Sequence, residues 1–211
     1  DSRGLDFDYA MNWSYGIGET VNLVIPNATG GGAKQNYSDT KIVDVLTSNF
    51  SQQMPRSQAK KMANQYAGSV LYFGDQSLVN GAYYIGAVVF LFFVIGLFLI
   101  RGPILWGSLS TLIIAFILAW GKHLEFINSF IFDHLPLYNK FRVPSMALVI
   151  AFVIIPFIGF KGLDLLLNES KEKALKVLVR SILITGGFSI FIWLLGTSFI
   201  GIEGPNDKNL S

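Results

Sequence analysis

Four apolar stretches fill the second half of the chain and decide its class. Ala82 to Ile100 runs nineteen residues without a charge, Pro103 to Trp120 eighteen, Ser145 to Phe160 sixteen and Ser181 to Ile202 twenty-two. A helix needs roughly 20 apolar residues to cross a hydrocarbon core of about 30 Å. The first, second and fourth stretches meet that length. The third meets it when prolonged to Leu167 past Lys161 and Asp164, with a kink expected at Pro156 and the freed carbonyl left to neighbouring helices. The expected fold class is all-α: a polytopic transmembrane helical bundle of about four spans, at 82–100, 103–120, 145–167 and 181–202, with outer-face loops and amphipathic helices. Four buried helices of a soluble protein are disfavoured, because these stretches have almost no polar face to turn to water.

Composition agrees. Hydrophobic residues make up 52% of the chain and charged residues 14%, against about 25% charged in a soluble domain. That is too much apolar surface for a disordered chain. The absence of cysteine excludes a disulfide scaffold and a thiolate metal site. A formal net charge of +2 gives no footing for nucleic-acid binding. The chain starts at Asp1 without a basic, short-apolar leader and ends in a polar stretch, 203–211. It is expected to be an internal piece of a longer membrane protein.

The basic residues orient the spans. Arg101 lies between the first two, and Lys161, Lys171, Lys173, Lys176 and Arg180 lie between the third and fourth. Positive loops stay in the cytoplasm, so 1–81, the loop 121–144 and the tail 203–211 are expected outside, against the mild opposition of Lys122, Lys140 and Arg142. In the outer part, 39–50 reads as a short helix with Ile42, Val43, Val45 and Leu46 on its apolar face and Ser38 or Asp39 as its cap. A second helix is expected over 57–72, with Met62, Tyr66, Val70 and Phe73 at helical spacing. In the loop 121–144, Leu124, Ile127 and Ile131 form a stripe beside Phe126 and Phe130, while Glu125, Asn128, Ser129 and Asp133 lie opposite. That pattern suits a helix lying in the membrane interface. Lys140 and Arg142 follow, and such a pair can hold a phosphate, Lys as a point charge and Arg as a fork, or snorkel to lipid headgroups.

The blocks Leu135-Pro-Leu-Tyr-Asn-Lys-Phe-Arg142 with Leu118-Ala-Trp-Gly-Lys122, Trp13-Ser-Tyr-Gly16 with Glu19-Thr20 and Leu23-Val-Ile-Pro26, and Tyr72-Phe-Gly-Asp-Gln76 with Tyr84-Ile-Gly86 resemble, in order, blocks of the YfhO family of bacterial multi-spanning membrane proteins. That family is similar to the GT-C glycosyltransferases. The resemblance implies a bacterial cytoplasmic-membrane enzyme with its active site on the outer face, a polyprenyl-phosphate sugar as donor and a cell-envelope polymer as acceptor. It also implies an acidic residue in the first outer loop, serving as base or metal ligand. That loop is expected upstream of Asp1, and with it any divalent metal; no cofactor is expected within these residues.

Within that frame Lys140 and Arg142 are the candidates for the donor phosphate, whose developing charge needs stabilising. Glu19 and Asp75 are candidate catalytic carboxylates for the acceptor hydroxyl, although either can instead cap a helix. Trp13, Tyr15, Tyr138 and His134 are candidate substrate-lining residues, although Trp and Tyr also anchor at membrane interfaces. His123 and His134 are eleven residues apart, about 16 Å along one helix, so the loop alone is not expected to hold a metal. A transporter or flippase for a lipid-linked sugar is the first alternative, disfavoured by the lack of charge in the first two spans. A non-catalytic scaffold binding an envelope partner through its outer helices is the second.

Overall fold

The computed structural model describes residues 5–32, 36–76, 83–140 and 142–200. These are mostly helical, with short 310 helices and turns between the α-helices, and the only strand-like contact among them is an isolated bridge between Gly30 and Tyr72. The α-helices are α1 (Phe7–Met11), α2 (Lys41–Phe50), α3 (Arg56–Val70), α4 (Ala87–Leu99), α5 (Pro103–Trp120), α6 (Glu125–His134), α7 (Leu148–Leu167) and α8 (Lys171–Ile200).

Among the described residues three helical stretches are long and apolar enough to cross a membrane: Pro103–His134, Pro144–Leu167 and Lys171–Leu194. The expected first span is shorter than its apolar run. Thirteen residues of α4 reach about 20 Å at 1.5 Å per residue, short of a bilayer core. The cause is local. The amide of Ile85 donates to the Leu23 carbonyl at 3.0 Å, Tyr83 packs edge-on against Tyr15, and Gly86 turns with φ +109°. Residues 83–86 are thus drawn off to the segment of residues 5–32, and Ala82 lies outside the described residues. The fourth helix departs the other way. It begins at Lys171, ten residues before the expected 181, because Lys173 and Lys176 pair with Glu169 and Glu172 one turn back, which suits a helix surface. Residues 201 and 202 and the tail lie outside the described residues. Pro156 stands inside α7 without ending it.

The bundle is built on α4 against α7, flanked by α5 and α8. Phe93, Val94, Leu112, Ala151, Ile155 and Ile158 form its buried centre. Backbones touch where Gly96 meets Gly162: a Cβ built on Gly162 would lie 2.4 Å from the Gly96 Cα. Small residues at such crossings are how membrane helices gain contact area without a hydrophobic drive between them. Trp106, Ile113, Val149 and Leu183 point outward from the bundle, as lipid-facing positions do.

Residues 5–32 cap one end of the bundle, where α5 ends and α4 begins. The amide of Tyr15 donates to the Ala119 carbonyl at 2.8 Å and that of Leu5 to Asn139 at 2.8 Å. The Trp120 indole donates to Thr20 at 3.0 Å. Arg101 follows the far end of α4, and the basic residues of 161–180 lie in the last turns of α7 and the first turns of α8, away from this cap.

Two amphipathic faces differ from expectation. In α3 the buried face is Ala59, Ala63 and Ala67, of which Ala63 and Ala67 cluster with Val43 of α2, while Met62 and Tyr66 are exposed. Alanine at every fourth position lets the two helices close on each other, which larger side chains would prevent. Val45 likewise points out, and α2 starts after Thr40 without a side-chain cap from Ser38, Asp39 or Thr40. In α6 the polar residue faces inward. Asn128 is 0% exposed, and Phe126 is 92% exposed. The chain breaks helical geometry at Gly121 (φ +41°), and the Asn128 amide donates to the carbonyls of Ile117, Gly121 and Leu124 at 2.9, 3.0 and 3.3 Å. Buried carbonyls at a helix end need a donor more than the interface needs one more polar face.

Candidate functional site

The cap brings two of the candidate residues together. Asn22, in the 310 helix Gly18–Leu23, ties that helix to the next loop: its amide nitrogen donates to the Thr29 hydroxyl at 2.7 Å and its oxygen accepts from the Thr29 amide at 3.1 Å. Thr29 and Gly31 then pair with the chain leaving α3, through Phe73 amide to Thr29 carbonyl at 2.8 Å and Gly31 amide to Leu71 carbonyl at 3.1 Å. This strand-like pairing carries Tyr72 and Asp75 to Glu19, across more than fifty residues of sequence.

Glu19 is 3% exposed. Its Oε2 accepts from the Gly16 amide at 2.8 Å, and its Oε1 accepts from the Tyr72 hydroxyl. The Tyr15 hydroxyl donates to the Glu19 carbonyl at 2.6 Å, and the Tyr72 oxygen accepts from the Gln76 amide at 3.2 Å. Glycine is required on both sides of the carboxylate. A Cβ on Gly74 would fall 2.2 Å from Glu19 Oε1. A Cβ on Gly16 would fall 2.4 Å from Asp75 Oδ2 and 2.8 Å from Glu19 Oε2, so the two carboxylate oxygens lie within about 5.2 Å of each other. Asp75 is the open member of the pair, its side chain 57% exposed, with His123 Nε2 3.7 Å from its Oδ2.

Burial pushes the Glu19 carboxyl above the usual carboxylate range; the bonds from Tyr72 and Gly16 pull it back in part, and the neighbouring Asp75 charge adds to the rise. The phenols of Tyr15 and Tyr72 are pushed far up by burial and by the Glu19 charge. Both therefore remain donors at any physiological pH. The arrangement can move a proton: a fixed carboxylate with raised proton affinity sits beside a second one that is open to solvent.

Of the remaining candidates, Tyr15 joins this group directly. Arg142 does not: it is exposed and donates to the Tyr9 hydroxyl at 3.1 Å. Six residues of chain, Tyr9 to Tyr15, link it to the Glu19 group. Lys140 is exposed in the 310 turn Tyr138–Lys140. The Tyr138 ring packs edge-on against Phe132, and burial raises its phenol. Its hydroxyl is buried without a hydrogen bond, and the residue lines a crevice of about 350 Å³ together with Met11, Leu118 and Pro144. His134 is stacked on Phe130 with Nδ1 at 2.8 Å from the Phe130 carbonyl, so it is engaged within α6. Trp13 is half-buried and makes no hydrogen bond to the Glu19 group. Sequence reasoning did not single out Tyr72, Gly16, Gly74 or His123 as site residues. Their roles arise from a long-range pairing that no local spacing encodes.

Below the 310 helix, between it and the membrane helices, lies an apolar cavity of about 240 Å³ lined by Leu23, Val24, Phe90, Phe93, Phe116 and Phe188. Among the described residues no three His, Cys, Asp or Glu side chains converge as a metal ion requires. No family model, no curated protein and no solved structure matches the chain.

Proposed function

We propose that this chain is part of a bacterial cytoplasmic-membrane glycosyltransferase of the YfhO type, with four spans, that transfers a sugar from a polyprenyl-phosphate donor to a cell-envelope acceptor at the capped, outer end of the bundle. The observation that carries the proposal is the Glu19–Asp75 pair over the mouth of the bundle. Transfer forms a bond between the acceptor oxygen and the anomeric carbon and breaks the bond from that carbon to the phosphate oxygen. The acceptor hydroxyl must lose its proton. Asp75 is the carboxylate an acceptor can reach, and it takes that proton. Glu19, with its raised affinity, is the adjacent group that can share it. The polyprenyl phosphate leaves with its added charge met by Arg142 and Lys140. The apolar cavity beside Thr20 supports a lipid-linked donor, because it is larger than the roughly 150 Å³ apolar cavity known to take up benzene.

The test uses the full protein in native membranes with a labelled polyprenyl-phosphate sugar. Asp75→Asn is expected to lower transfer about 100-fold or more at unchanged abundance, and Arg142→Ala to lower it as well. Undiminished transfer by both variants would remove the assignment. Entry of the labelled lipid into sealed vesicles with no covalent product would replace the enzyme by a transporter.

A further inference from the structure

The turn after α5 brings to the Glu19 group a histidine that the proposed transfer does not use. His123 lies in the 310 helix Gly121–Leu124, and its neighbours in that turn are fixed. The Lys122 amide donates to the Ser14 hydroxyl at 2.9 Å, and that hydroxyl donates to the Met11 carbonyl at 2.6 Å. The Gly121 carbonyl accepts from the Asn128 amide nitrogen at 3.0 Å. Gly121 has φ +41°, and a Cβ there would fall 2.0 Å from the Ser14 oxygen, so glycine lets the turn close on the cap. Ser14 and Asn128 are both buried. The turn therefore has little freedom to carry the imidazole elsewhere.

The Nε2 of His123 is buried and makes no hydrogen bond. Asp75 Oδ2 stands 3.7 Å from it. That is too long for a hydrogen bond, and a shift of about 0.8 Å would make one. The Asp75 side chain is exposed, so the shift is open to it. Buried polar nitrogens are rarely left unpaired, and hydrogen bonds at reacting sites often tighten only when substrate binds. The same Oδ2 packs on Gly16 and lies within about 5.2 Å of Glu19 Oε2. Asp75 therefore has a second carboxylate and an imidazole nitrogen as neighbours. Lys122 is the other charged group acting on the ring, and α1, α5 and α6, which also pack on this turn, bring no further charge to it among the described residues. From the buried, unbonded Nε2 and the second carboxylate beside its partner, we infer that His123 is a positioning residue for Asp75: its Nε2–H closes onto Oδ2, keeps Asp75 ionised beside Glu19 and leaves Oδ1 for an acceptor hydroxyl. The use of Oδ1 rests on Asp75 being the base of the proposed transfer; the bond to His123 does not. A neutral imidazole carries one N–H, and the carboxylate selects the Nε2–H tautomer, because a lone pair turned toward an anion is repelled and an N–H is attracted.

The test is nitrogen-15 NMR of the full protein, labelled at histidine, in detergent micelles, with the His123 signals identified by their loss in His123→Phe. The neutral ring is expected as the Nε2–H tautomer. Asp75→Asn should move the His123 titration about one pH unit lower, because the imidazolium loses its carboxylate. In transfer assays His123→Phe, which keeps a flat ring without a donor, should move the acid limb of the kcat/KM profile about one pH unit higher, a roughly tenfold loss below the limb and little loss above it. His123→Gln, whose amide can donate, should restore part of that shift. An Nδ1–H tautomer, or an unchanged His123 titration in Asp75→Asn, would overturn the inference, as would an unmoved acid limb in an active His123→Phe. Absence of transfer by the wild-type protein would remove the glycosyltransferase assignment and leave the NMR measurements to decide the bond between His123 and Asp75, so the two failures are distinguishable.

Discussion

The bond from Tyr72 to Glu19 can be tested quantitatively. Tyr72→Phe removes one hydrogen bond to a buried carboxylate, worth about 1.5–3 kcal/mol when the acceptor is charged. It also leaves the Gln76 amide, which donates to the phenol oxygen at 3.2 Å, without its acceptor in a buried place, a cost of about 1–3 kcal/mol. Because the two effects share one oxygen they do not add fully, and a net loss of about 3 kcal/mol is expected, roughly a hundredfold in the folding equilibrium. In a Glu19→Gln background the phenol bonds a neutral amide instead. Tyr72→Phe should then cost less, and the double-mutant cycle should give a coupling of about 1.5 kcal/mol. Reversible unfolding of the full protein in mixed micelles, followed by circular dichroism across pH 4 to 9, supplies the four stabilities. The coupling should be largest at high pH, where Glu19 is ionised, and shrink as pH falls through its raised pKa. A coupling below about 0.5 kcal/mol at every pH would refute the view that the hydroxyl holds this carboxylate in place.

Glu19 also predicts a pH dependence of stability. Its carboxyl is raised on folding, so the folded state binds the proton more tightly, and the contribution is greatest in acid. It should be lost as pH rises from the unfolded value of about 4.3 through the raised folded value, and Glu19→Gln should flatten that fall in the unfolding titration. Asn128→Leu strips the carbonyls of Ile117, Gly121 and Leu124 of their common donor and is expected to cost about 3 kcal/mol in the same assay. A wild-type midpoint would count against the buried role of Asn128. Gly162→Val forces α4 away from α7, where only 2.4 Å separates a Cβ from the Gly96 Cα. A loss of about 2–3 kcal/mol is expected, with weakened crosslinking between cysteines placed on the two helices.

The amino-acid sequence by itself determined that the chain is helical with stretches long and apolar enough to cross a membrane, because uninterrupted apolar runs admit few other solutions. It also located α2, α3, α5 and α7 closely, and its candidate carboxylates Glu19 and Asp75 are two that the fold brings near each other. It misplaced the starts of α4 and α8, since apolarity marks where lipid is tolerated and not where helical geometry begins. Residues 83–86 are as apolar as a span, yet the Leu23 carbonyl and the Tyr15 ring draw them into the cap. Helical spacing alone also did not show that α3 buries Ala59, Ala63 and Ala67 and leaves Met62 and Tyr66 exposed, and it turned Asn128 outward, because spacing ranks residues by polarity and ignores which partner needs a donor or how closely two backbones approach. The site itself was decided by tertiary structure. Glu19 becomes a buried carboxylate with a raised pKa only when the pairing of residues 29–31 with 71–73 sets Tyr72 and Asp75 beside it, and a carboxylate's chemistry depends on those neighbours, not on its place in the chain.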